Sequence, residues 1–183
     1  PTTPRCCSSA ASVVYKRQDI KVAHYGKIIS FSPKVFLPLT FLCRDVCHYC
    51  TFAKVPRKID SPYMAIEEAL EIAKKGEELG CREALITLGD KPELRYKAAR
   101  DSLNALGFES TLDYVKNVSQ EILNTTSLIP HLNPGTMDIN EIEKLKNYSG
   151  SMGMMLESHS ARLCQKGMPH YGSPDKDLSL IHI

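Results

Sequence analysis

An α/β protein built on a parallel sheet with outer crossover helices is the fold class this sequence predicts, and three observations predict it. Short apolar runs recur about four times along the chain, stretches of helical periodicity separate them, and Gly, Pro or a capping residue marks most junctions. No sequence repeat accompanies the alternation, so it reads as strands joined by covering helices.

The first apolar run is "KVFLPLTFL", Lys34 to Leu42, whose β-branched and aromatic residues predict a buried strand. From Ser61 the period becomes helical: Ser61 is placed to cap, Pro62 suits the first position, and Ile66, Ala69, Leu70 and Ala73 share a face before Gly80 stops the helix. "EALITL" at 83–88 predicts a second strand. "PELRYKAARDSLNAL" at 92–106 predicts a helix ended by Gly107, and Leu112, Val115 and Ile122 mark another. "SLIPHLNPG" at 127–135 reads as a strand running into a loop. Asp138 and Glu141 form a capping-box start for a helix to Leu145, and "SMGMMLE" at 151–157 predicts the fourth strand.

In such sheets the chemistry gathers beyond the carboxyl ends of the strands. That places the loop after the first strand, "GDKPE" at 89–93, "NPG" at 133–135 and Glu157 on one rim. A closed barrel has eight strands in about 250 residues, so four strands predict a partial barrel, the front of a larger protein. On this reading residues 1–30 are a leader or linker without order, 31–176 the core, and "DLSLIHI" at 177–183 a non-native tail.

Composition narrows the function classes. The 183 residues are 43% hydrophobic with a formal net charge of +2, which gives no single-sign field for nucleic acid or an anionic membrane. No apolar run reaches the about 18 residues of a membrane span. Arg5, Lys16, Arg17 and several serines precede the first acid, Asp19, a composition that fits an organelle transit peptide for a plastid or mitochondrion; read as a linker instead, it leaves a cytoplasmic protein. Seven cysteines, with Cys6 and Cys7 adjacent and Cys81 and Cys164 isolated, are not spaced as a disulfide framework, and a reducing compartment fits them.

The remaining three crowd into "LCRDVCHYCTFAK", with three residues between Cys43 and Cys47 and two between Cys47 and Cys50. A structural zinc site wants four ligands, usually two separated pairs; His48, Cys81 or Cys164 would have to complete it. A 4Fe-4S cubane held by three thiolates keeps one iron open, and the amino and carboxylate groups of S-adenosylmethionine suit that open position.

The CxxxCxxC spacing after a first strand, with Tyr49 before the last cysteine, is the signature of the radical S-adenosylmethionine (radical SAM) superfamily, whose fold is a partial TIM-type barrel. The blocks "LPLTFLCRDVCHYCTFAK", "ALITLGDKPELRY", "LGFESTLDY", "LIPHLNPGTM", "SMGMMLE" and "HYGSPDK", in this order over Val35 to Lys176, resemble the deazaflavin (FO) synthase family, in its 7,8-didemethyl-8-hydroxy-5-deazariboflavin synthase half. The resemblance implies a radical SAM lyase of factor-420 coenzyme biosynthesis. It would oxidise and cyclise a hydroxybenzyl-ribityliminouracil adduct, derived from tyrosine and a ribityl-uracil, with release of ammonia.

It implies Cys43, Cys47 and Cys50 as ligands of a 4Fe-4S cluster, S-adenosylmethionine contacts from the backbone around Tyr49, from Gly89 and Asp90 and, at the ribose, from Glu157, and a polar cofactor or substrate contact from Asn133. An electron donor such as flavodoxin or ferredoxin and a companion radical SAM half, fused or separate, are the implied partners. No general acid or base is assigned. The companion hydroxybenzyl transferase and a non-catalytic zinc-binding module remain as alternative readings.

Overall fold

The computed structural model describes residues 9–155, 157, 158 and 160–176, so the proposed tail at 177–183 lies outside the described residues. The chain divides into two compact units, Pro1–Phe31 and Ser32–Ile183. In the first, helix α1 (Ser9–Tyr25) stands where the sequence reading placed an unordered leader. Its Ala, Lys, Arg and Gln residues favour helix and no Pro or Gly interrupts it, although its apolar residues are not gathered on one face. It stops at Gly26, whose N–H reaches Val22 O at 3.0 Å.

The second unit holds four parallel strands in the order β1-β2-β3-β4. These are β1 (Lys34–Pro38), β2 (Glu83–Thr87), β3 (Ile129–Asn133) and β4 (Ser151–Met152). Helix α2 (Ile66–Glu78) links β1 to β2, α3 (Lys97–Leu106) and α4 (Thr111–Thr125) link β2 to β3, and α5 (Ile139–Leu145) precedes β4. The register runs Leu37 beside Ile86 and Ile86 beside Leu132. These three side chains and Ala84 are fully buried, with Ala69 and Ala73 of α2, Ala99 and Leu103 of α3, and Val115, Val118 and Ile122 of α4 in the same core. Burying each large aliphatic side chain contributes about 1.5–3 kcal/mol, so this one face supplies most of the driving force.

Three local expectations are corrected. Helix α2 begins after Ala65, not at Ser61, because the Ser61 hydroxyl donates to Tyr63 O at 2.7 Å and makes a turn; Tyr63 then buries its ring and meets Thr111 Oγ1 at 2.6 Å. The stretch 92–106 is not one helix: a 3-10 turn, Pro92–Leu94, precedes α3. The break follows from side chains turned elsewhere, since Glu93 accepts from Thr111 N–H and Oγ1 and Arg95 donates to Arg44 O. The fourth strand is two residues long rather than the run 151–157. After Gly153 N–H bonds Leu132 O the chain leaves the ladder.

The capping box at Asp138 and Glu141 forms as expected, and Gly107 closes α3 in the left-handed conformation. Among the described residues no helix is long and apolar enough to cross a membrane.

Candidate functional site

Beyond the carboxyl ends of the strands, the loops after β1 and β2 continue to pair. Thr40 Oγ1 accepts from Leu42 N–H and donates to Pro62 O, which turns the chain after β1 inward. Gly89 N–H donates to Thr40 O at 3.1 Å, and Arg44 N–H to Asp90 O at 2.9 Å. This close approach dictates glycine at position 89: a Cβ there would stand 1.8 Å from Leu42 O and 2.7 Å from Cys43 Cβ.

The paired loops set the cysteines on one cavity of about 320 Å³. Cys43, Cys47 and Cys50 line it, and so do Tyr49, Gly89, Asp90, Asn133 and Glu157, whereas His48, Cys81 and Cys164, the candidate fourth zinc ligands, do not. Phe52, Met154 and Met155 add apolar wall.

Hydrogen-bonding groups reach all three sulfurs, the Tyr49 hydroxyl at Cys47 and the Asp45 backbone at Cys43 among them. Asp90 N–H donates to Cys43 Sγ at 3.2 Å, Ala53 N–H to Cys50 Sγ at 3.4 Å, and Ser173 Oγ lies 3.3 Å from Cys47 Sγ. Burial pushes the Cys43 thiol up to about 11, so ligation there releases a proton. Among the described residues no three His, Cys, Asp or Glu groups converge as ligands of one ion. A cubane asks for something else, one thiolate on each of three separate irons, and three spaced sulfurs with hydrogen-bond support fit that demand.

Asp90 forms part of the cavity wall and is 6% exposed. Its Oδ2 accepts from Thr136 N–H at 2.7 Å and from Thr136 Oγ1 at 3.0 Å. Its Oδ1 has no hydrogen bond, although Arg44 Nε lies 3.1 Å away, off the hydrogen-bonding direction. Arg44 instead donates from Nε and Nη2 to Asp175, and from Nη2 to Thr136 Oγ1. Burial, then the neighbouring Asp175, pushes the Asp90 carboxyl up to about 7 against the Thr136 N–H and Arg44. Asp45, also buried with an unbonded Oδ1, is pushed up to about 6 by burial and by Asp175.

Asn133 ends β3, half-buried. Glu157 is exposed and faces Lys176 Nζ at 3.5 Å. The Tyr49 ring packs 5.5 Å from that of His170, and its hydroxyl pKa is pushed up by partial burial and then by Cys47.

Sequence reasoning missed the closing segment. Residues 169–176 fold back on the cysteine loop: His48 N–H bonds Pro169 O at 2.9 Å, Val46 N–H bonds Ser173 Oγ at 3.0 Å, and Asp175 takes Arg44. The signal was present in "HYGSPDK", quoted for its resemblance and given no role.

The sequence profile of the Radical SAM superfamily matches residues 37–174. FO synthases of Mycobacterium tuberculosis and Streptomyces coelicolor are 49% and 53% identical, each over 93% of this chain. The chain spans 21% and 20% of those relatives' length. The 7,8-didemethyl-8-hydroxy-5-deazariboflavin synthase of Methanopyrus kandleri is 43% identical over 81% of this chain and 45% of its own. Among solved structures, the FeFe-hydrogenase maturase HydG from Carboxydothermus hydrogenoformans superposes with a TM-score of 0.68 at 22% identity, over 89% of this chain and 34% of that one. Methylornithine synthase superposes at 0.63 and 15% identity, over 92% of this chain and 45% of that one. These two likenesses concern the fold.

Proposed function

This chain belongs to the radical SAM superfamily, and on that premise we propose that it is the cluster-bearing part of a deazaflavin synthase. The reaction is oxidation and ring closure of the hydroxybenzyl-ribityliminouracil adduct to 7,8-didemethyl-8-hydroxy-5-deazariboflavin, with loss of ammonia. The FO synthase relatives support the substrate, and the observation that carries the reading is the single cavity shared by all three thiols and the polar rim residues.

Cys43, Cys47 and Cys50 hold the 4Fe-4S cluster, their sulfurs steadied by Asp90 N–H, Ser173 Oγ and Ala53 N–H. When bound, the cluster and S-adenosylmethionine would supply the radical chemistry that abstracts hydrogen from the adduct. Three buried acids, Asp45, Asp90 and Asp175, face Arg44 and Lys176, a charge balance that favours a cationic ligand group. Asp90, whose carboxyl is part of the cavity wall, is the residue for the methionyl ammonium. Gly89 lets the β2 end lie against the cysteine loop, the backbone around Tyr49 faces the adenine, and Asn133 and Glu157 offer polar contacts to the nucleoside. Met154, Met155 and Phe52 offer apolar wall to the ligands. A one-electron donor such as flavodoxin or ferredoxin and a companion radical SAM half complete the system.

Anaerobic reconstitution with iron and sulfide tests the reading. The protein should take up about four irons with a broad visible band; Cys47→Ala should assemble no cluster and Cys81→Ala should keep it. One bound zinc and no visible band would sink the proposal.

A further inference from the structure

Cys43 and Cys50 take their hydrogen bonds from backbone N–H groups, which are indifferent to side-chain identity, whereas Cys47 is met by side chains, the neighbouring Tyr49 hydroxyl being one. The other comes from far along the chain, Ser173, 126 residues from Cys47. Ser173 is 3% exposed, and its Oγ has two neighbours: Val46 N–H, which it accepts at 3.0 Å, and Cys47 Sγ at 3.3 Å. Resting on the assignment of Cys47 as a cluster ligand, we propose that Ser173 is a positioning residue that donates its hydroxyl proton to the Cys47 thiolate. By this bond it sets the reduction potential of the site.

The direction of the bond follows from chemistry. A thiolate on iron carries no proton and can only accept, while Val46 N–H already occupies an acceptor site of Ser173 Oγ, so the hydroxyl proton is available for the sulfur. Hydrogen bonds to ligand sulfurs stabilise the more negative, reduced state of a cluster and are among the features that set its potential. The hydroxyl is held in place from both sides. Ser173 N–H bonds His170 O at 3.0 Å, His48 N–H bonds Pro169 O at 2.9 Å, and Arg44 clamps Asp175 two residues on. The segment 169–176 is thereby a strap across the cysteine loop, and Ser173 is its contact with a ligand sulfur. This gives the "HYGSPDK" block a chemical role besides scaffolding.

The test compares the protein with Ser173→Ala, Ser173→Thr and Ser173→Val after anaerobic reconstitution, reading iron and sulfide content and the midpoint potential by spin-resonance redox titration. If the unsubstituted protein binds no cubane, the cluster assignment fails, and that outcome is distinct from failure of the Ser173 role. With the cluster present, Ser173→Ala should hold wild-type iron and shift the midpoint negative. A tenfold change in the reduction equilibrium is the size expected, about 59 mV for one electron; Ser173→Thr should restore the value. Equal midpoints in wild type and Ser173→Ala overturn the proposal. Should the alanine variant assemble no cluster, the Thr and Val variants decide, since they match in shape and differ in the hydroxyl. Cluster in Thr but not Val, or a more negative midpoint in Val, supports the role; equal midpoints, or loss of cluster from both, overturn it.

Discussion

On the helix-covered face of the sheet, Leu37, Ala84, Ile86 and Leu132 are wholly buried among apolar side chains, whereas the rim beyond the strand ends buries Asp45 and Asp90, together with Asp175 of the closing segment. The face gains free energy from every group it hides. The rim spends some, because a carboxylate taken out of water costs several kcal/mol unless paired, and here Arg44 serves both Asp90 and Asp175. The raised pKa values of Asp45 and Asp90 are the signature of that deficit. The contrast teaches where to look for function in such a sheet: at the place where burial and charge disagree, next to a face where they do not.

The largest expected effect breaks the boundary between the two regions. Gly89→Ala puts a Cβ 1.8 Å from Leu42 O and 2.6 Å from Leu42 C. Both are backbone atoms, so no side chain can swing aside, and either the β2 end or the cysteine loop must move. We expect a loss at the upper end of overpacking costs, about 3 kcal/mol or more, together with failure to assemble the proposed cluster. Thermal melting and iron analysis check it; a variant that melts with the wild type and keeps its iron would show that the two loops are not in register as described.

A smaller effect sharpens the contrast between face and rim. Ile86→Ala removes a fully buried side chain from the face and should cost about 2–5 kcal/mol, depending on how far α2 and α4 collapse into the space. Leu94→Ala, at a rim residue 64% exposed, should stay within about 0.5 kcal/mol. Urea unfolding of both variants at one pH measures the difference, and similar losses at the two positions would refute the division of labour.

The same contrast explains what the sequence made legible. The face is written in local pattern: period-two burial in "EALIT", helical period in α2, and the Asp138 and Glu141 capping box could all be read from neighbouring residues. So could the cysteine loop, whose ligand candidates lie within eight residues. The rim's support could not, because it consists of contacts between distant positions. Arg44 meets Asp175 across 131 residues, Asp90 meets Thr136 across 46, and Ser173 reaches Cys47 across 126. No periodicity encodes such pairs. The misplaced starts of α2 and α3 have a related cause, since Tyr63 and Glu93 are turned toward Thr111 by tertiary contacts that outweigh local helix signals.

The smallest effect lies on the outermost layer, where α4 is tied to α5. Partial burial alone would raise the Asp113 carboxyl, but Lys144, Ser110 and Lys116 hold it below the ordinary carboxylate range; Ser110 Oγ donates to Asp113 Oδ2 at 2.7 Å. Because the folded value lies below the unfolded one of about 3.9, the carboxylate adds stability above that pH, and the contribution fades as pH falls through the folded value. Asp113→Asn keeps the backbone N–H that the Ser110 cap accepts at 3.1 Å while removing the charge. At pH 7 the variant should be less stable by about 0.3–1 kcal/mol, the range of a surface ion pair reinforced by the helix N-terminus. Near pH 3 the gap between the two proteins should narrow, and added salt at pH 7 should narrow it as well. Urea midpoints at the two pH values give the measurement. A gap that is unchanged between pH 7 and pH 3 would mean that the amide disturbs packing and that the charge of Asp113 contributes nothing to holding α4 against α5.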